Sequence, residues 1–218
     1  MLGILVRVVI AFAVMGLISH TLVRPFVIPS GSMEPTLRVG DRVAAQVLGV
    51  DEQDLGRGDV VVFAHGATWE DDRIRDPNAL TDVLRYVGDL VGAGPGHHGH
   101  TVKRVIGLPG ESVACCDAQG RVLVDGEPLD EPYVTMDLPF DTGCDRSPTQ
   151  RCFPQVTVPP DSYLVLGDHR ADSSDSVVSC RGRSDGGCEA RFVRSDQVVG
   201  VLGWRWWPMP PGDAQRTR

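Results

Sequence analysis

The stretch VKRVIGLPGESVACCDAQGRVLVDGEPLDEPYV, residues 102–134, decides the fold class. Its apolar residues come in short β-branched runs, and each run stops at turn chemistry: Pro109-Gly110, then Asp117 to Gly120, then Asp125-Gly126. Asp-Gly between apolar runs is a strong short-range hairpin signal, because both central residues of the tightest hairpin turn need positive φ. The stretch therefore predicts a β-meander. Outward from it, RVAAQVL (42–48), DVVVF (59–63), SYLVLGD (162–168) and QVVGVLGWRWW (197–207) predict further strands. With 25 glycines and 16 prolines in 218 residues, many turns are favoured over long helices. The expected body is mainly antiparallel β, spanning 24–207.

Two segments differ in character. Within 65–100, PNALTDVLRYVGDLVG (77–92) sets Leu80, Val83, Leu84, Val87, Leu90 and Val91 at helical spacing, which predicts a partly helical inserted subdomain ending in GAGPGHHGH. Residues 1–23, MLGILVRVVIAFAVMGLISHTLV, are almost wholly apolar and just long enough to span a bilayer. A transmembrane anchor and a cleavable signal peptide both fit that length, although no small-x-small cleavage site precedes Arg24-Pro25. Either reading puts the body outside the cytoplasm. Residues 137–155 read as a Pro- and Cys-bearing loop, and the tail 208–218 reads as disordered. The Trp204, Trp206 and Trp207 cluster suits a lipid interface and ordinary strand packing equally well.

The cysteines agree with export. An even count of six suggests disulfides, and Cys144/Cys152 and Cys180/Cys188 each bracket a short polar loop. Cys115 and Cys116 are adjacent and have no evident assignment. Zinc is a weak alternative, since no CxxC occurs. The histidines of HHGH (97–100) read as a solvated loop, so no metal or other cofactor is expected. A net charge of −8 without a basic block excludes a nucleic-acid partner and leaves polypeptides or membranes.

Lys and Arg total 21, and Lys103 is the only lysine. A chain that uses arginine wherever a charge suffices has reason to keep a lysine where a proton must be lost. Such a base must be neutral, so its pKa must fall from about 10.4, which an apolar pocket can achieve by desolvation. Alternation puts Val105 on the face of Lys103 and Arg104 on the other. In PSGSM (29–33), Ser32 can serve as nucleophile, with its own N–H and the Ser30 hydroxyl toward a developing oxyanion. On spacing alone the same residues make a plain turn. No histidine is placed like a triad member, which favours the Ser–Lys form of nucleophilic catalysis.

Four ordered blocks, IPSGSMEPTL (28–37), RGDVVVF (57–63), VKRVIGLPGE (102–111) and LGDHRADSSDS (166–176), follow one apolar segment. In these the chain resembles bacterial type I signal peptidases (leader peptidases), and its insertion and CCDAQGRV hairpin resemble those of high-GC Gram-positive bacteria. The resemblance implies a β-rich body held by one N-terminal helix on the outer membrane face. It also implies removal of signal peptides from exported preproteins after small residues at −3 and −1. By matching position it makes Ser32 the nucleophile, Lys103 the general base, Ser30 an oxyanion donor and Ser173 the serine that orients the lysine amine. Asp168, Arg170 and Asp175 fall on the supporting framework. Two positions depart from the pattern. His169 stands where Asn is usual, and Val177 stands where Arg often follows, which leaves Arg181 or Arg183 to pair with Asp175. A cytosolic self-cleaving regulator of related fold lacks the apolar segment. A disulfide-stapled binding module leaves Lys103 unexplained. The sequence carries no signature of an oligomeric state.

Overall fold

The structure, a computed structural model, describes residues 22–47, 55–66, 68–69, 99–140, 149–183 and 187–207, together with Gly3, Val6, Arg7, Ile10, Val14 and Cys144. Eleven strands are present among them: β1 (Val23–Val27), β2 (Arg42–Gln46), β3 (Val60–Ala64), β4 (His100–Gly107), β5 (Ser112–Cys115), β6 (Val122–Val124), β7 (Glu127–Pro128), β8 (Phe153–Thr157), β9 (Ser162–Leu166), β10 (Val193–Arg194) and β11 (Val198–Trp207). They form a seven-stranded sheet in the order β1-β2-β11-β3-β4-β9-β10 and a four-stranded sheet in the order β7-β6-β5-β8. Every strand pair is antiparallel.

The meander appears where its turns predict it. Asp125 (φ 50) and Gly126 (φ +82) make the tight turn from β6 to β7. Both faces of the large sheet are covered, so β3 reads as an unbroken apolar run rather than an alternating one. Val60 and Val62 join Ile28, Met33, Leu37, Val43 and Ala45 in one core cluster. Val61 and Phe63 join Trp69, Val105, Tyr163, Val165 and Val193 in another. A third cluster, around Val113, Val122, Phe153 and Leu164, joins the small sheet to the large one.

Three elements differ from expectation. Val23–Val27 pairs with β2 as an edge strand, where apolar continuity had merged its start with the anchor. The stretch 137–155 is not all loop, because β8 begins at Phe153 and pairs with β5. Pro154 masks that strand in the sequence. Gln197 belongs to a 3-10 turn (Ser195–Gln197) rather than to the last strand.

The disulfides pair Cys144 with Cys152 and Cys180 with Cys188, and Cys115 bonds its neighbour Cys116. The helix expected over 77–92 and the tail 208–218 lie outside the described residues, as do the side chains of Trp204, Trp206 and Trp207. Most of the anchor expected over 1–23 also lies outside them. Gly3, Val6, Arg7, Ile10 and Val14 are helical, and among the described residues no helix is long and apolar enough to cross a membrane.

Candidate active site

Lys103 sits in the middle of β4, opposite Val61 in the register with β3. Paired residues share a face, so the lysine stem lies on the apolar side formed by Val61, Phe63 and Val105. Only 3% of Lys103 is exposed. Burial removes water from the ammonium and lowers its pKa from 10.5 to about 8. Asp175, Asp168 and Asp172 oppose that shift, and Arg191 assists it. The amine thus becomes substantially neutral in mildly alkaline solution, about two pH units below an exposed lysine.

Ser32 belongs to a 3-10 turn, Gly31–Met33. Three buried apolar side chains, Ile28, Met33 and Leu37, pin that turn to the core on either side of the serine. Its base is closed by Ile28 N–H donating to Asp41 O and Gly40 N–H to Ile28 O, both at 2.9 Å. From the other side, His169 N–H donates to Ser32 O at 3.1 Å. This contact is made by the main chain, so histidine in place of asparagine leaves it intact. The result is that Lys103 Nζ stands 2.5 Å from Ser32 Oγ. Ser30 Oγ lies 3.4 Å from the same oxygen, and Ser30 is exposed.

The framework residues form a buried polar lattice behind the pair. Asp168, with no exposure, accepts from Arg104 Nε at 2.9 Å, from Arg104 Nη2 at 2.6 Å and from Thr36 Oγ1 at 2.5 Å. One carboxylate therefore ties the lysine strand to the serine loop. A bidentate arginine satisfies the charge that burial would otherwise penalise. Arg170 donates through Nε to Gly167 O at 2.9 Å and pairs its guanidinium with Glu131. Asp175 is paired by Arg181, Nη2 to Oδ2 at 2.9 Å, so the arginine missing at Val177 is replaced from the Cys180–Cys188 loop. Arg183 is spent elsewhere, on Gly187 O.

One expectation is corrected. Ser173 Oγ is buried but has no hydrogen-bond partner, so the bond to the Lys103 amine is not made. Its hydroxyl instead packs against Gly167. The sequence reading also missed residues that complete the lattice. Arg104 was read only as the residue facing away from Lys103. Tyr133 stacks under its guanidinium, 3.9 Å from ring centroid to Cζ, and donates to Glu131 Oε1 at 2.9 Å. Both Glu131 and Tyr133 sit in the EPYV end of the meander, where nothing in the local pattern marks them. Among the described residues no group of three or more His, Cys, Asp or Glu could hold a metal ion.

The Ser32 hydroxyl, held on its turn, thus faces a buried amine 2.5 Å away. The chain matches the signal peptidase family, peptidase S26, over residues 1–207. It is 33% identical over 183 residues to a probable signal peptidase I-2 of Synechocystis, covering 84% of this chain and 62% of that protein. With signal peptidase IB of Staphylococcus aureus the identity is 30% over 211 residues, 94% of this chain and 88% of the other. With a probable signal peptidase I of Mycobacterium leprae it is 38% over 169 residues, 72% of this chain and 56% of the other. The chain thus spans less than two thirds of the length of the Synechocystis and Mycobacterium proteins. A solved signal peptidase I from Enterococcus faecalis, 23% identical, covers 68% of this chain and 97% of its own, with a TM-score of 0.38. The chain belongs to the signal peptidase family.

Proposed function

We propose that this chain is a membrane-tethered serine endopeptidase that removes signal peptides from exported preproteins, with Ser32 as nucleophile and Lys103 as general base. The observation that carries the reading is the 2.5 Å approach of a buried amine to the Ser32 hydroxyl. A neutral Lys103 takes the Ser32 proton as Oγ attacks the last carbonyl of the signal peptide. The Ser30 hydroxyl and the Ser32 N–H face the developing oxyanion. The new amino terminus leaves with the proton from Lys103. Water, deprotonated by the same amine, then releases the acylated peptide. Asp168, Arg104, Arg170 and Asp175 hold this geometry and do not exchange protons with substrate.

Substrate binds extended along the sheet beside the site, its alternate side chains entering shallow pockets that admit small residues at −3 and −1. The anchor reading is supported by the helical state of Gly3, Val6, Arg7, Ile10 and Val14. Val6, Ile10 and Val14 present apolar surface outward, as a lipid-facing helix requires. Exposed Leu22 and Val23 continue that surface to the start of the body. The body then lies on the extracytoplasmic side, consistent with its three disulfides.

The test is processing of a preprotein by the detergent-solubilised protein, with product termini read by mass spectrometry. Cleavage after a small-x-small sequence is expected in wild type and is abolished in Ser32→Ala and in Lys103→Arg. Turnover by Lys103→Arg would refute the proton-transfer role.

A further inference from the structure

The 65–100 insertion begins beside β3, and its first described residues are tied into the body. Thr68 Oγ1 donates to Gln197 Oε1 at 3.0 Å, and the Trp69 ring meets Phe63 edge-on, with centroids 4.9 Å apart. Trp69 is 6% exposed and shares its core cluster with Val61 and Val105, the residues that flank Lys103 on the same face. Over the Trp69 ring, 4.3 Å from its centroid, lies the guanidinium of Arg191.

Arg191 is held on its other sides by the segment that follows Ser173. Its Nη2 donates to Ser174 Oγ at 2.9 Å and to Asp175 O at 3.1 Å, and its own N–H donates to Ser176 O at 2.8 Å. Ser176 in turn bonds both ways with Val165 of β9, the strand beside β4. A guanidinium pinned by a ring face and two oxygens keeps its charge in one place, unlike an arginine free in solvent.

We propose that Trp69 and Arg191 form a positioning pair for Lys103, in which the inserted segment clamps the arginine and so sets the electrostatic surroundings of the catalytic amine. This rests on the Ser32–Lys103 reading above. The charged groups around the amine are Asp168, Asp172, Asp175 and Arg191. The three carboxylates favour the ammonium, which cannot act as base. Asp168 is satisfied by Arg104 and Asp175 by Arg181, which blunts but does not cancel them. Arg191 is the positive member of the set, and like charge disfavours the protonated amine. The insertion, otherwise without an assigned role, would thereby act on catalysis through Trp69.

The lone lysine makes a direct test available. Lysine labelled with carbon-13 at Cε gives one resonance in the full-length, detergent-solubilised protein, and its titration reports Lys103 alone. Arg191→Gln is expected to move that titration upward by roughly half a pH unit, and the acid limb of kcat/KM by the same amount. The loss is about threefold below the limb, with recovery at high pH. Trp69→Leu moves both in the same direction by less, and Arg191→Lys, which keeps the charge, restores the acid limb of kcat/KM. Should Arg191→Gln fail to fold, Trp69→Leu reads the same shift. An unmoved titration in the variants, with activity lowered equally at every pH, would show a purely structural role and overturn the proposal. Lys103→Met is assayed alongside. Turnover in that variant refutes lysine as the base, whereas an unmoved titration with Lys103→Met inactive refutes only the role of Trp69 and Arg191.

Discussion

Gly167 lies so close to Ser32 that a Cβ placed on it would stand 2.5 Å from the serine's main-chain oxygen and 2.3 Å from Ser173 Oγ. The backbone of the Ser32 turn is thus seated directly on the end of β9, where only a residue without a side chain leaves room. Gly167→Ala is expected to push the turn away while the core stays folded. A displacement of about 1 Å at a reacting group costs on the order of 100-fold. A loss of that size in kcat, with a melting temperature within a few degrees of wild type, is the expected result. A variant with near-normal kcat would mean that the seat does not position Ser32.

Activity should follow the neutral fraction of Lys103. With the amine lowered to about 8 by burial, kcat/KM rises about tenfold per pH unit below that value and levels off above it. The sign is set by the chemistry, since the deprotonated form is the active one. A profile measured with a peptide substrate that carries no titrating group across the range checks this. A limb near pH 6.5, the ordinary range of histidine, would point away from the lysine.

Much of this site is legible in the sequence because its key residues are exceptional there. Lys103 is the only lysine, and Ser30 and Ser32 bracket a glycine between prolines. The meander was readable because Asp125-Gly126 has one common structural use. What was not readable depends on contacts between segments remote in sequence. Tyr133 reaches Arg104 only because the small sheet folds back on β4, and Arg191 meets Trp69 only because β10 closes the edge of the large sheet. The partner of Asp175 illustrates the boundary. That an arginine must be nearby follows from the buried charge, but Arg181 rather than Arg183 follows from how the disulfide loop turns.

Ser30 offers a separable test of transition-state stabilisation. Its hydroxyl is exposed, 3.4 Å from Ser32 Oγ, and takes no part in the core. Ser30→Ala should therefore leave stability unchanged. Losing one oxyanion donor costs roughly 100- to 1,000-fold in kcat, with KM little altered because the donor meets charge that develops only during attack. An effect confined to KM would place Ser30 in ground-state binding instead.

The buried lysine should also cost stability, which a functional residue can do without being a defect. At pH 7 the folded chain holds a largely protonated amine with little water around it, while the unfolded chain solvates it freely. The folded-state pKa of about 8 against an ordinary 10.5 sets the sign. Between those values the unfolded chain binds the proton that the folded one has released, so wild-type stability rises with pH through that window. Below it the penalty is fully present, about 3 kcal/mol at roughly 1.4 kcal/mol per pH unit. Lys103→Met keeps a similar apolar stem and removes the charge, so the inactive variant should be more stable than wild type at pH 7, by up to that amount. The gap should narrow as pH rises from about 8 toward 10.5. Urea unfolding of both proteins at several pH values measures it. A methionine variant less stable than wild type at pH 7 would mean that the lysine's contacts outweigh its desolvation, and the low pKa would then need another cause.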